Sequence, residues 1–391
     1  MEQESFNIDD ILAEVDVEIR ASNPSDSVRK GRIKTPEKPQ KSDAYRRILA
    51  FVGKLALILV ETALLLVITL YGVMYILAKG PSPTARDIFV MSVRETSAIG
   101  FLANIFFTED EIAQIEAEQR IAEYIETDTS LINIQKPQPD NNSESKGPVA
   151  DEWGLIDEDG DGIIIEEVHG EGYSGFMMVV LDPSRVIMGT NPERYGWHGY
   201  TVEEMVGYFG AVAGINAGGF EDPSGEGNGS IPDSMVVYEG QIYYDYKGTR
   251  EGFAGLDENH ILHVGNLTPN DVIERNIQYG VSFGPVLISN GEPAQLTSGI
   301  NPRTAIGQRP DGAILMLVID GRQVISLGAT YQDLIDVFLE YGAVNACNLD
   351  GGSSTLMWYD GKYINNCASV VGIRPVPTTF LVMEEGGADH E

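Results

Sequence analysis

The chain is poor in the residues that most often build catalytic and metal sites. Among its 391 residues there are two cysteines, Cys347 and Cys367, and five scattered histidines. The cysteines could pair on the oxidising side of a membrane, but two half-buried free thiols are the interpretation we prefer. Neither a His-rich metal site nor a Ser-His-Asp triad is predicted. The sequence also has no Gly-x-Ser-x-Gly elbow and no Gly-Lys-Ser/Thr phosphate loop.

Basic residues are scarce beyond the first 54 positions. Residues 1–54 hold ten Lys/Arg and ten Asp/Glu, whereas the remainder holds 16 basic and 49 acidic residues, which produces the net charge of -33. Binding to nucleic acid needs a basic face, so no nucleic-acid partner is predicted. An anionic substrate would have to be held by a local cluster of cations.

One long apolar run extends from Ile48 to Ala78. About 20 apolar residues cross a bilayer, so we predict a transmembrane helix over residues 48–78. Eight Lys/Arg residues precede it within residues 29–47. The positive-inside rule therefore predicts a single-pass protein of the cell membrane, with a cytoplasmic N-terminus and the remaining chain extracellular. The run starts too far along the chain for a cleaved signal peptide.

Composition divides the rest of the chain. Residues 1–47 are polar and are predicted to be a disordered cytoplasmic tail. Apolar residues at helical spacing in residues 79–134 predict a helical, membrane-proximal stalk, and residues 135–149 have the composition of a linker. In residues 150–385, short β-rich runs alternate with turn residues, and two helical patterns interrupt them. This arrangement predicts an α+β fold, a mixed-sheet domain with inserted helices.

An acidic turn precedes the first strand of this domain. Asp157, Asp159, Asp161 and Gly162 match the first positions of a calcium-binding EF-hand loop, but Val168 stands where the bidentate Glu is needed. An acidic turn leading into a strand is the preferred interpretation. A Ca²⁺-dependent adhesion module built on this loop is a competing hypothesis.

Four polar, glycine-rich segments lie at the ends of predicted strands: "AGINAGGF", "SFGPVLISNG", "NPRTAIGQ" and "NACNLDGGSST". Each alone could be a turn, a hairpin connection or, for Arg303, a surface arginine. Taken together, and followed by "RPVPTTFLV", they resemble the phosphodiester glycosidase family, which includes the catalytic domain of the mannose 6-phosphate uncovering enzyme and bacterial proteins. The resemblance covers roughly residues 170–385. Ser353 stands where the family often has a third glycine.

The resemblance implies a hydrolase that cleaves a sugar-1-phosphodiester, here in cell-envelope or exopolysaccharide glycans. Asp350 and Asp320 are the candidate carboxylates and Arg303 the candidate catalytic cation. Asp350 would attack as nucleophile or act as base, or it would hold a divalent cation bridging to the phosphate; no cofactor or metal is assigned. The candidate substrate-binding residues are Asn216, Gly219, Thr304, Gly351, Gly352, Ser353 and Ser354.

A phosphate-linked glycan and the membrane are the expected partners. The alternative function is a non-catalytic envelope protein that binds anionic glycan. Such a protein would need Arg303 but no carboxylate at a reacting centre.

Overall fold

The computed structural model describes residues 43–96, 99–118, 126–134, 150–191, 199–221, 227–245, 252–369 and 372–385. The expected cytoplasmic tail up to residue 42 and the expected linker 135–149 lie outside the described residues. Contacts divide the chain into two compact units, residues 1–69 and 70–391. Of the first unit, the structure describes residues 43–69, which belong to one long helix. The second unit contains the end of that helix, the other helices and the sheets. The predicted division into domains stays a prediction.

The helices of the described residues are α1 (Asp43–Lys79), α2 (Pro83–Arg94), α3 (Glu109–Glu118), α4 (Val202–Phe209), α5 (Pro269–Glu274) and α6 (Tyr331–Glu340). The first of these begins at Asp43 rather than at Ile48. An 18-residue window within its residues 45–79 has a mean hydropathy of 2.3, so the helix is long and apolar enough by length and composition to cross a membrane. Helices α4 and α6 confirm the two helical patterns of the sequence. Both start at a capping box, in which a threonine and the acidic residue three positions later satisfy each other's backbone N–H.

The strands are short and numerous. They are β1 (Ile163–Gly170), β2 (Tyr173–Val180), β3 (Val186–Thr190), β4 (Ala211–Asn216), β5 (Val236–Tyr238), β6 (Gln241–Tyr244), β7 (Ala254–Asp257), β8 (Leu262–Val264), β9 (Ile277–Val281), β10 (Val286–Ser289), β11 (Glu292–Pro293), β12 (Arg303–Gln308), β13 (Ile314–Ile319), β14 (Asn345–Leu349), β15 (Met357–Tyr359), β16 (Lys362–Tyr363) and β17 (Thr378–Met383). The acidic turn at Asp157 does lead into a strand, β1, as predicted, and Val168 is paired within it.

Three antiparallel sheets form the domain, and the predicted α+β class is confirmed. The largest has seven strands in the order β1-β2-β13-β12-β14-β10-β11. The other two have five strands each, β16-β15-β4-β17-β3 and β6-β5-β9-β7-β8. The described strand pairs are all antiparallel.

The centre of the large sheet is buried on both faces. Every residue of β12, β13 and β14 is buried. Because side chains alternate along a strand, Ile306 faces a cluster shared with the two smaller sheets, whereas Ala305 faces the cluster that contains Leu334 and Phe338 of α6. Burial on both faces explains why β13, ILMLVI, is a continuous apolar run in the sequence. The same burial holds the ends of β12, β13 and β14, where the candidate site residues lie, in fixed positions.

The stretch predicted as a stalk is helical in part and contacts the sheets. Helices α2 and α3 and the 3-10 turn Gly100–Ile105 share a small apolar core with the end of α1. Ser92 accepts a hydrogen bond from the N–H of Ile300, and the N–H of Asn133 donates to Pro310. Residues at both described ends of this stretch therefore lie against the β domain.

Candidate active site

Two candidate carboxylates lie at the ends of central strands of the large sheet, on the side of the sheet where β12 begins. We call this group of strand ends the site edge. Strand β12 begins at Arg303, beside the ends of its neighbours: Arg303 is paired with Ile319, and Thr304 with Leu349. Asp320 and Asp350 are the residues that follow these two partners. One strand separates them, so their Cα atoms are about 10 Å apart from strand spacing alone. The antiparallel pairing thus brings together residues that are 30 positions apart in sequence.

Asn216 links the five-stranded sheet that contains β4 to the site edge of the large sheet. It ends β4, and its side-chain N–H₂ donates to the carbonyl of Asp350 at 2.6 Å. Its side-chain oxygen accepts from the Thr304 hydroxyl at 2.8 Å and from the N–H of Leu356 at 3.1 Å. Both lone pairs of that oxygen are therefore used within the protein. This geometry assigns Asn216 and Thr304 to holding Asp350, and direct contact of either with substrate stays a prediction.

Asp320 is buried and held by amides that the sequence analysis did not single out. Its Oδ1 accepts from the Asn365 side chain at 3.1 Å and from the N–H of Asn366 at 3.0 Å. Its Oδ2 accepts from the Asn366 side chain at 2.8 Å. The signal available in the sequence was the Asn365-Asn366 pair, which begins two residues after the last residue of β16.

The Asp350-Gly351-Gly352 turn is shaped by its neighbours. A Cβ on Gly351 would lie 2.7 Å from the carbonyl oxygen of Pro302, which also accepts the N–H of Gly352 at 2.9 Å. Gly352 has a φ of 64°, and a Cβ there would lie 3.3 Å from the guanidinium of Arg322. Close backbone packing therefore requires a glycine at Gly351. At Gly352, the absence of a side chain lets the guanidinium of Arg322 lie close to the backbone.

Arg322 and Arg374 are cations of the site that the sequence analysis missed. Arg374 Nη1 donates to the Ser353 hydroxyl at 3.1 Å, and its Nε is buried without a partner. Burial lowers the pKa of Arg322, and the nearby guanidinium groups of Arg303 and Arg374 lower it further. Within the described chain, neither Arg322 nor Arg374 has a carboxylate within ion-pair distance. Neighbouring guanidinium groups without a counter-charge favour an anion between them.

The backbone of Arg322 has an uncommon conformation. Its φ of 57° lies in the left-handed region, which non-glycine residues adopt rarely and mostly where surrounding structure imposes it. The signal in the sequence was "VIDGR", in which Arg322 follows a candidate carboxylate by two residues. The signal for Arg374 was the arginine of "RPVPTTFLV".

Arg303 is held by several partners within the protein. Its Nε donates to the carbonyl of Ala329 at 3.1 Å, and its Nη2 donates to Gly299 at 2.6 Å and to Glu95 at 2.7 Å. The guanidinium also stacks on the Tyr331 ring, 4.3 Å from its centroid. The side chain is 6% exposed. Arg303 is thus held by protein partners, and its expected role as a catalytic cation stays a prediction.

The remaining candidates lie around this edge. Gly219 is buried, three residues beyond Asn216, and its carbonyl accepts the N–H of Asp233. Ser354 is buried, and its N–H donates to Gly351. Both cysteines are free, and burial raises the pKa of the Cys347 thiol to about 12.

The acidic turn contacts β15, because the Tyr359 hydroxyl donates to Asp161 at 2.9 Å. Carboxylate oxygens of Asp157, Asp159 and Asp161 lie within 4.8 Å of one another. Both carboxylate oxygens of Asp157 already accept hydrogen bonds within the turn, from the backbone N–H groups of Gly160 and Gly162 at 2.9 Å.

Comparison with known proteins identifies the class of this domain. Residues 209–383 match the family model of the phosphodiester glycosidases. The matched range contains Asn216, Arg303, Asp320 and Asp350, the residues whose geometry is described above. The resemblance to this family that the motifs predicted is therefore confirmed over residues 209–383.

Individual relatives share parts of the chain. The SPbeta prophage-derived uncharacterized protein YomE of Bacillus subtilis is 30% identical over 224 residues, 54% of this chain and 33% of that protein. The N-acetylglucosamine-1-phosphodiester alpha-N-acetylglucosaminidase of Bos taurus is 25% identical over 182 residues, 41% of this chain and 33% of that protein. The chain thus spans about a third of the length of these relatives.

Among solved structures, the zebrafish N-acetylglucosamine-1-phosphodiester alpha-N-acetylglucosaminidase catalytic domain, auto-inhibited by its pro-peptide, is similar. It is 19% identical, with a TM-score of 0.48, over 62% of this chain and 85% of that chain.

Proposed function

We propose that this protein is a hydrolase that cleaves a sugar-1-phosphodiester between the anomeric carbon and the bridging oxygen. The observation that carries the proposal is the meeting of Asp350 and Asp320 with Arg322 and Arg374, two cations without a carboxylate partner in the described chain. The family match supports hydrolysis of phosphodiester-linked sugars. So does the name of the bovine relative, which specifies an N-acetylglucosamine-1-phosphodiester.

The arginines suit the leaving group of this reaction. The phosphodiester carries one negative charge, and the departing phosphate gains another when the bond to carbon breaks. Preorganised donors aimed at developing charge are the strongest means of stabilising it. Arg374, already bonded to the Ser353 hydroxyl, and Arg322, facing the open side of Gly352, supply such donors without protonating the leaving group.

The two carboxylates take different positions. Asp350 is half-buried, and its backbone is fixed by Asn216 and by the hydrogen bond from its own N–H to the carbonyl of Ala217. We assign it to the anomeric carbon, as nucleophile or general base. Asp320, held by three amide donors, is the second carboxylate of the reaction. Thr304 supports Asp350 through Asn216.

The location of the enzyme follows from α1 and the basic residues before it. We propose a single-pass anchor with a cytoplasmic N-terminus and the sheet domain outside the cell. The substrates would then be phosphate-linked glycans of the cell envelope or exopolysaccharides.

The test is hydrolysis of methyl phosphodiesters of several sugar-1-phosphates by the full chain in detergent micelles, with and without chelator. In ¹⁸O-labelled water, we expect the phosphate product to stay unlabelled, because its bridging oxygen comes from the substrate. Arg322→Ala should lower kcat/KM by about 100-fold or more, the effect of losing one donor to developing charge. The exposed Lys362→Gln is the matched control and should leave activity unchanged.

Two outcomes would contradict the proposal. Label in the phosphate product would mean attack at phosphorus, and the roles of Asp350 and Asp320 would be wrong. Binding of phosphodiesters without hydrolysis, unchanged in Asp350→Asn, would indicate the glycan-binding alternative.

A further inference from the structure

The chain segment at the end of α2 passes directly along the wall of the candidate site. Ser92 accepts the N–H of Ile300 at 2.9 Å, and a Cβ on Gly299 would lie 2.3 Å from the Ser92 backbone. No side chain fits between the two segments at this point. The segment that carries residues 92–96 lies outside residues 209–383, the part that matches the glycosidase family.

Glu95 anchors this segment. Its Oε2 accepts from Arg303 at 2.7 Å and from the Asn301 side chain at 2.8 Å, and its Oε1 accepts the N–H of Gly299 at 3.3 Å. The side chain of Glu95 is 20% exposed and that of Arg303 is 6% exposed. Ion pairs with additional hydrogen bonds in partly buried positions hold their partners in one geometry. Glu95 therefore fixes the position of the residue that follows it.

That residue, Thr96, reaches one of the two arginines that face the glycine turn. Arg322 Nη2 donates to the Thr96 hydroxyl at 3.1 Å, and the same hydroxyl lies 3.2 Å from the side-chain oxygen of Asn301. A free arginine side chain has many rotamers, and ordering it costs up to about 2 kcal/mol of conformational entropy. An acceptor held in place by Glu95 restricts that freedom before any ligand arrives.

We propose that Thr96 is a positioning residue of the anion site, and that it aims the guanidinium of Arg322 at a phosphate group bound beside the Asp350-Gly351-Gly352 turn. The segment after α1 then completes a site whose other parts lie in the family domain. The inference rests on the proposed function for the identity of the anion. It adds that residues 209–383 alone lack one element of the site.

The test measures binding of inorganic phosphate to the full chain in detergent micelles by calorimetry. We expect Thr96→Val, which keeps the shape and removes the hydroxyl, to weaken binding about tenfold, the effect of one hydrogen bond to a charged group. Thr96→Ser restores the hydroxyl and should restore the affinity. Thr84→Val, at an exposed threonine of α2, is the matched control and should bind as the parent protein does.

Several results would overturn the inference. They are absence of phosphate binding by the parent protein, unchanged or tighter binding by Thr96→Val, and equal weakening by Thr96→Ser. Tighter binding would mean that the segment obstructs the site. Phosphate affinity is read without turnover, so failure to hydrolyse any sugar phosphodiester would count against the proposed function alone. Unfolding temperatures of the variants separate loss of binding from loss of folding.

Discussion

At the scale of single residues, the position of the proposed anion site depends on which arginines already have a carboxylate partner within the protein. Arg303 has the sequence context of a ligand-binding arginine, but its donors go to Glu95, Gly299 and Ala329. Arg322 and Arg374 have no anionic partner in the described chain and lie near each other. A cluster of this kind gains most from an external anion, because binding removes repulsion as well as adding attraction.

The buried carboxyl of Asp257, which lies 3.2 Å from the His263 ring nitrogen Nε2, makes stability depend on pH. Burial alone would raise the pKa of Asp257. Hydrogen bonds from His263 and from the N–H groups of Ile261 and Asn259 outweigh burial, so that the pKa lies below its usual value. Such a carboxyl stabilises the fold above its unfolded-state pKa of about 3.9, and the contribution is lost as pH falls through the folded-state pKa.

We therefore expect Asp257→Asn to lower the unfolding temperature of the full chain at neutral pH more than at about pH 3, where the unfolded-state carboxyl is mostly protonated and part of the stabilisation is already lost. Thermal unfolding of both proteins at the two pH values measures the difference. An equal decrease at both values would show that the charge of Asp257 contributes nothing and that only packing changed.

At the scale of elements, Pro302 is the point on which three strand ends converge. It precedes β12, and Gly321 and Gly351 pack against it from the two neighbouring strand ends. The glycines of "VIDGR" and "NLDGGSST" are therefore explained partly by the close approach of backbone segments. The same packing sets the separation of Asp320 and Asp350.

Gly351→Ala tests this explanation. The added methyl would lie 2.7 Å from the Pro302 carbonyl, a backbone atom that cannot rotate away. We expect a loss of about 1–3 kcal/mol in unfolding free energy, as for overpacked sites, together with loss of hydrolysis. The measurement is thermal unfolding and turnover in parallel.

Gly207→Ala is the matched control for that variant. Gly207 lies within α4, where an added Cβ meets nothing within 4 Å. Alanine is the better helix former there, so this variant should be as stable as the parent protein or more so. If both variants unfold like the parent, Pro302 does not require a glycine at Gly351.

At the scale of the whole molecule, the distribution of charge and apolar residues predicts how the chain meets a membrane. Basic residues are concentrated before α1, whereas the chain after it is acidic. The helix is long and apolar enough to span a membrane. Within its residues 45–79, no part of the most apolar 18-residue window is buried against the protein. These features favour an anchored enzyme that meets its substrate outside the cytoplasm.

The predicted orientation is tested by protease added to intact cells that express the chain with a different epitope at each end. We expect loss of the C-terminal epitope and protection of the N-terminal one, because the basic residues hold the N-terminus inside. Permeabilised cells, in which both epitopes should be lost, are the control. Digestion of residues 1–40 from outside would reverse the orientation.

Much of the fold could be predicted from the sequence because its signals are local. The apolar run of α1, the threonine caps of α4 and α6 and the strand runs of β13 and β17 each lie within one short segment. The family resemblance made Asp350, Asp320, Asn216 and Thr304 candidate site residues. Strand pairing and hydrogen bonds place them at adjoining strand ends, and their role in one active site stays a prediction.

What the sequence by itself determined is therefore the class of the fold, the apolar helix and the set of polar residues around Asp350. Only the tertiary structure decided which of those residues have partners. Arg303 is neutralised by Glu95, 208 positions away, and Arg322 is contacted by Thr96, 226 positions away. No local pattern encodes such pairs, because they depend on how separate elements pack. The charge left unpaired after that packing is what defines the proposed anion site.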